Sequence, residues 1–199
     1  MFRTAAVALG ISLLLTGCAE KSGEHEDAKP LAQPVANVTD LQGRWWNWVL
    51  STKTATSPIG DDKGANCAVK QPEDVWFLAG TFGGSVQRSC DVPAGRNILA
   101  PLLNLFSEGE EDCRQFMKAA KGSAVLDGAS LEVETVASAP FTATPEAGNP
   151  LEWEPGTYRV FGCGMYVRIP PLTAGEHTLE LRGASGSFAN GVDYALTVR

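Results

Sequence analysis

Histidine is nearly missing from this sequence: His25 and His177 are the only two in 199 residues. One in the polar stretch 19–37 and one near the C-terminus make neither an imidazole metal centre nor a nucleophile–base pair. No serine stands in Gly-x-Ser-x-Gly or Ser-x-x-Lys, two settings that expose or activate a hydroxyl. Cationic side chains are short in number, 16 Lys and Arg against 23 Asp and Glu for a net charge of −7. That balance argues against nucleic acid, whose binding rests on clustered positive charge facing phosphate. The polar loop Asp61, Asp62, Gly64, Asn66 lacks the Asp-x-Asp-x-Asp-Gly spacing of a calcium loop. No metal, cofactor or catalytic residue is expected from these patterns. Apolar runs long enough to cross a bilayer, about 20 residues, are absent as well.

What is present begins with an address. Arg3 precedes an apolar stretch, Ala5 to Leu15, broken only by Gly10 and Ser12. This has the form of the h-region of a removed signal peptide. Leu15-Thr16-Gly17-Cys18 follows at once and resembles the lipobox of bacterial lipoproteins. The resemblance implies cleavage before Cys18, a diacylglycerol on its thiol and an acyl chain such as palmitate on the new amine. More than one chain anchors stably, at about 0.8 kcal/mol per buried methylene. The expected organisation is a signal peptide at 1–17, a lipidated tether at 18–38 and a single domain at 39–199. The domain would stand in the cell envelope, on a periplasm-facing membrane leaflet or at the cell surface. Losing 17 residues leaves 182, enough for one substantial domain. Arg3 is the only charge lost, so the mature chain carries −8. Residues 19–37 are polar with no apolar period, a flexible coil spanning on the order of 25 Å.

Twenty-one glycines and twelve prolines punctuate the remainder and point to many turns, hence strands. A helix is expected first. Thr39 and Gln42 form a capping-box pattern, and Leu41, Trp45, Trp48 and Val49 share one face, as in a helix sealing one end of a sandwich. Val75–Ala79 is a short, wholly apolar run of the kind buried on both faces. Along Ser85–Cys90, Val86, Arg88 and Cys90 alternate with polar neighbours. Asn97–Leu103 reads as another apolar strand, with Pro101 marking an edge or bulge. Residues 108–121 suit a short helix, acids first and lysines last. Further strands are expected at 131–136, 158–161, 165–169, 176–182 and 191–198. With no βαβ rhythm the predicted fold is an antiparallel β-sandwich, jelly-roll or Ig-like, with one or two short helices. Beyond Cys18, the cysteines Cys67, Cys90, Cys113 and Cys163 form an even set in an exported chain, which reads as two disulfides. Their wide spacing does not suit the paired knuckles of a zinc site. Three pairings are open.

Gly64-Ala65-Asn66-Cys67, Val75–Gly84 (VWFLAGTFGG) and Arg88–Gly95 (RSCDVPAG) together resemble an uncharacterised family of bacterial exported proteins and lipoproteins. Its ending is similar to Pro171–Leu179 (PLTAGEHTL) and Tyr194–Val198. The resemblance covers most of residues 45–198 and brings no activity with it. It implies one domain and places Cys67 and Cys90 at the two ends of one motif, hence Cys67–Cys90 and Cys113–Cys163. Leu172–Leu179 also resembles the penultimate corner of bacterial Ig-like sandwiches, which bears on fold alone.

Candidate ligand-binding residues are Trp46, on the flank of the helix stripe, and Glu152-Trp153-Glu154, where a ring could act as platform and the acids accept hydroxyls. Other acids cluster at Glu108, Glu110, Glu111 and Asp112, and at Glu132 and Glu134. His177, after a Gly turn, is expected to hydrogen-bond a corner. The reading that follows is a membrane-anchored, non-catalytic binding or structural lipoprotein, its partner an envelope glycan or protein. The alternative is a carboxylate-dependent hydrolase acting on envelope or extracellular glycans.

Overall fold

The structure, a computed structural model, describes residues 36–199. The signal peptide, Cys18, His25 and most of the tether lie outside the described residues. Nearly half of the described residues, 46%, are strand, and two sheets pack together as the predicted sandwich. No helix among the described residues is long and apolar enough to cross a membrane.

The chain opens with α1 (Val38–Ser51) and continues through β1 (Val75–Phe77), β2 (Gly84–Val92) and β3 (Asn97–Ser107) to α2 (Glu110–Lys118). Then come β4 (Lys121–Leu126), β5 (Ala129–Ser130), β6 (Glu134–Ala143), β7 (Tyr158–Ile169), β8 (Gly175–Ser185) and β9 (Phe188–Val198). One sheet has the order β1-β3-β7-β6 and the other β2-β9-β8-β4-β5. The sheets are mixed rather than wholly antiparallel, because β1 pairs β3 in parallel and β2 pairs β9 in parallel. A parallel pair needs a crossover connection, and β2, lying in the opposite sheet, supplies it between β1 and β3.

Two apolar cores sandwich the four-stranded sheet. Trp76 and Leu78 face the five-stranded sheet, where they meet Leu179, Leu181, Val192 and Leu196. Val75, Phe77 and Ala79, one position out of phase, face α1 with its Leu41, Trp45, Trp48 and Val49. Side chains alternate across a strand, so a run apolar at every position is one that is covered twice. α1 therefore lies on the outer face of this sheet, not at an end of the sandwich; the helix at the end is α2, whose Phe116 packs against the inter-sheet core. α1 begins earlier than the capping-box pattern indicates. Asn37 is the N-cap, accepting the Asp40 N–H at 2.9 Å, while Gln42 is buried against the sheet. Ala36 and Val38 pack on the same core, so the folded domain takes in the end of the expected tether.

Other differences are local. β3 runs on to Ser107, with its register shift between Pro101 and Leu103, so Pro101 sits at a bulge inside the sheet. β7 is one strand through Gly162-Cys163-Gly164. The expected strand at 131–136 begins only at Glu134 and extends to Ala143, and β4 occupies residues adjoining the expected helix end. Cys67 is joined to Cys90 and Cys113 to Cys163, with Cα separations of 5.8 and 5.6 Å. The second bridge ties α2 to β7, and no thiolate of the four is left for zinc.

Candidate functional site

The aromatic candidates are absorbed by the core. Trp46 is buried and meets Trp45 edge-on at 4.8 Å and Phe106 at 4.7 Å. With α1 laid flat on the sheet, even the flank of its stripe is covered, so Trp46 offers no ring to a ligand. Trp153 is half-buried between Phe106 at 4.7 Å and Tyr158 at 5.3 Å. Its loop is fixed by buried Asn149, which donates to the Glu146 and Trp153 carbonyls and accepts the Leu151 and Trp153 N–H groups. Glu152, at φ +56°, and Glu154 stand exposed on either side. The ring serves the fold, and the two acids face solvent.

Three of the remaining six acids, Glu111, Asp112 and Glu134, are held by partners. Glu111 pairs with Arg114 on exposed α2, and the Arg114 guanidinium and Gln115 amide hold its carboxyl below the usual range. Glu134 is gripped by Arg168 through two bonds of 2.5 and 2.9 Å. Glu132 and Glu134 do line one groove of about 390 Å³, floored by Leu41, Val75 and Leu131. Among the described residues, no group of three or more His, Cys, Asp or Glu is arranged to hold a metal.

Asp61, in the polar loop, is not free for calcium either. Its Oδ1 accepts the N–H groups of Lys63 and Gly64, and its Oδ2 accepts that of Asn66 at 2.6 Å. Burial opposes the charge, but these three donors and nearby Arg88 overcome it and hold the carboxyl below its ordinary range. Gly64, at φ +93°, lies so close to β2 that a Cβ would meet the Ser89 carbonyl. Arg88 is the group the pattern reading passed over. Only 2% exposed, it donates to the carbonyls of Asp61, Ile59, Ala79 and Gly80 and to the Tyr194 hydroxyl. Tyr194 in turn bonds both the N–H and the carbonyl of Ala79, and Asn190 accepts from Thr81. The most specific motif of the chain thus builds a knot that fixes the crossing from β1 to β2. Its alternation with Val86 and Cys90 places Arg88 inward, which was the available signal.

His177 takes the corner role expected of it. Its Nδ1 lies 2.7 Å from Asp127 Oδ2 and its Nε2 lies 3.0 Å from the Thr173 carbonyl. Both ring nitrogens face acceptors, so the doubly protonated ring suits the site best. The bond to Asp127 and then the Thr173 carbonyl raise the His177 pKa, and the same bond lowers that of Asp127. A raised folded pKa gives stability that is full below the unfolded value, about 6.5, and is lost as pH rises through the folded one. The depressed Asp127 gives stability that is lost as pH falls below about 3.9. Melting temperature measured against pH should therefore decline on the alkaline side of about 6.5, and His177→Gln should remove that decline. An unchanged profile in the variant would contradict the assignment.

Among the described residues nothing covers one broad face, the outer side of the five-stranded sheet. Register sets its side chains in rows: Ser89, Ala195 and Thr178; Gln87, Asp193 and Glu180; Ser85, Gly191, Arg182 and Ser123. The inner strand β9 contributes Gly191, Asp193 and Ala195, while longer side chains rise on β2 and β8. A Cβ at Gly191 would come within 2.6 Å of the Ser85 hydroxyl oxygen, so a larger residue there would have to turn that side chain aside. The result is a furrow along β9. Hollows of about 570, 420 and 460 Å³ adjoin in it, sharing Lys63, Gln87, Asp193 and Ser85. Arg182 bridges the facing acids, 2.5 Å from Asp193 and 3.7 Å from Glu180. Nothing in the sequence singled out this face, because serine, glutamine, threonine and alanine carry no distinctive chemistry.

No family model and no curated protein matches the chain. Among solved structures, one described as the solution structure of Amebosin is similar over 58% of this chain and 96% of its own, at 13% identity and a TM-score of 0.23. A likeness that weak bears on neither fold nor function.

Proposed function

We propose that the protein is a lipid-anchored, non-catalytic binding module of the cell envelope, held by Cys18 and presenting the open face of its five-stranded sheet. The observation that carries this is the unequal covering of the two sheets. The four-stranded sheet has apolar residues against α1 on one side and the sandwich core on the other. The five-stranded sheet keeps one polar, furrowed face on strands braced by the Arg88 knot and the bridge to Cys90. A binding site works best when rigid elements hold its groups in place.

The anchor is tested by Cys18→Ser. Wild-type cells should incorporate labelled palmitate into the protein, and the variant should take up none and run as uncleaved precursor. Equal labelling would contradict the lipoprotein reading. Binding is tested by affinity capture from envelope extract with the mature domain and with Ala195→Arg, which fills the furrow from an exposed strand position. Capture should disappear with the variant, and neither protein should hydrolyse peptidoglycan, polysaccharides or esters. Because Glu132 and Glu134 share a groove, turnover that vanishes with Glu132→Gln would favour the hydrolase instead.

A further inference from the structure

We infer that the furrow on the five-stranded sheet binds a neutral, hydroxyl-rich glycan chain, an inference that rests on the binding-module reading above. The argument is one of charge and hydrogen-bond complementarity. Apart from Arg88, whose guanidinium is buried and turned inward, three cations, Lys63, Lys121 and Arg182, and three anions, Asp62, Glu180 and Asp193, line its hollows. They cancel, on a chain whose net charge is −7. A polyanion needs an excess of cations and a basic peptide an excess of acids, and the furrow has neither. An apolar partner needs an apolar floor, whereas β9, the floor of the furrow, offers Gly191, Asp193 and Ala195.

What the furrow does offer is both halves of a hydrogen-bonding surface at strand spacing. Lys63 donates, Glu180 and Asp193 accept with the oxygens that Arg182 does not engage, and Gln87, Ser85, Ser89 and Thr178 do both. A sugar hydroxyl is donor and acceptor at once, so a row of them is served only by such a mixture. Rows on neighbouring strands lie about 4.8 Å apart and like-facing residues along one strand about 7 Å apart, a grid that meets successive hydroxyls of an extended chain. Phe82, the one large apolar side chain markedly exposed among the described residues, at 55%, stands on the loop that leads through Gly83 into Gly84 at the rim. Its ring lies beside Gly60 and lines none of the three hollows, so recognition rests on the polar rows.

The test uses the mature domain and defined probes: maltohexaose, cellohexaose and hexa-N-acetylchitohexaose as neutral chains, polygalacturonate as polyanion and decalysine as polycation. Calorimetric titration and amide chemical shifts give the readouts. At least one neutral hexamer should saturate below about 1 mM, shifting Ser85, Gln87, Ser89 and Gly191. Ala195→Arg should weaken it at least tenfold and Gln87→Ala several-fold, with amide spectra elsewhere unchanged. Saturation by polygalacturonate or decalysine on this face, or neutral binding indifferent to Ala195→Arg, would overturn the inference. So would failure of all three neutral hexamers. If they fail while envelope capture still depends on Ala195, the glycan assignment falls and the binding module stands. If capture itself ignores Ala195→Arg, both fall.

Discussion

Arg88→Ala should lower the stability of the domain by about 3–5 kcal/mol, the scale seen when a buried charged network is broken. The guanidinium is almost wholly enclosed and, among the described residues, meets no carboxylate at ion-pair distance. Its charge is satisfied by carbonyl oxygens from the 59–61 loop and from Ala79 and Gly80, with Tyr194 Oη beside it. Alanine removes all five donors at once and leaves buried carbonyls without partners, each costing about 1–3 kcal/mol where water cannot reach. For a domain of this size each kcal/mol moves the melting point by roughly 2–4 °C, so a fall of roughly 6–20 °C is expected by calorimetry. Arg88→Lys should recover only a small part, since an ammonium cannot span four carbonyls arranged around a planar fork. A melting point within about 2 °C of wild type, at the same scale, would show that the knot does not brace the β1–β2 crossing.

The second large effect belongs to the bridge between Cys113 and Cys163, both fully buried. It spans a sequence separation of 50, and closing a loop that long removes about 4 kcal/mol of unfolded-chain entropy. The Cys67–Cys90 bridge, with a separation of 23, is worth about 3.5 kcal/mol on the same relation. Against a usual total of about 5–15 kcal/mol, either loss is large. The Cys113→Ala, Cys163→Ala double variant should melt lower than the Cys67→Ala, Cys90→Ala one. It should also loosen α2 first, because that bridge is the helix's covalent tie to β7. Unreduced peptide maps should return the two pairs seen here, and a Cys67–Cys163 peptide would contradict them.

Much of this architecture is written locally in the chain. Val75–Ala79 is apolar at each position because both sides of its strand are covered, and Gly191–Val198 alternates because its strand has one wet side. Pro101 marks a bulge for the reason it must, having no N–H to give. What is not local was missed. Parallel pairing of β2 with β9 joins residues about a hundred positions apart, which no window registers. Gly162-Cys163-Gly164 reads as a break, yet it is continuous strand, with Gly162 packed against Gln42 of α1.

The site was less legible than the fold. Sequence reasoning favours residues with strong chemistry, so it chose Trp46, Trp153 and the glutamates beside it. Tertiary packing spent the two rings on the core and on a loop. The outward row Gly191, Asp193, Ala195 could be read from alternation alone. Its neighbours could not, because Gln87, Glu180 and Arg182 reach it only through cross-strand register.

Photocrosslinking in intact cells tests the central claim most directly. A benzophenone side chain is placed at position 87, beside the furrow, and for comparison at position 115, exposed on α2. In cells expressing the whole sequence, irradiation should give a discrete adduct from position 87 that Ala195→Arg abolishes, and none from position 115. Adducts from position 115 with none from 87 would contradict binding through the open sheet face.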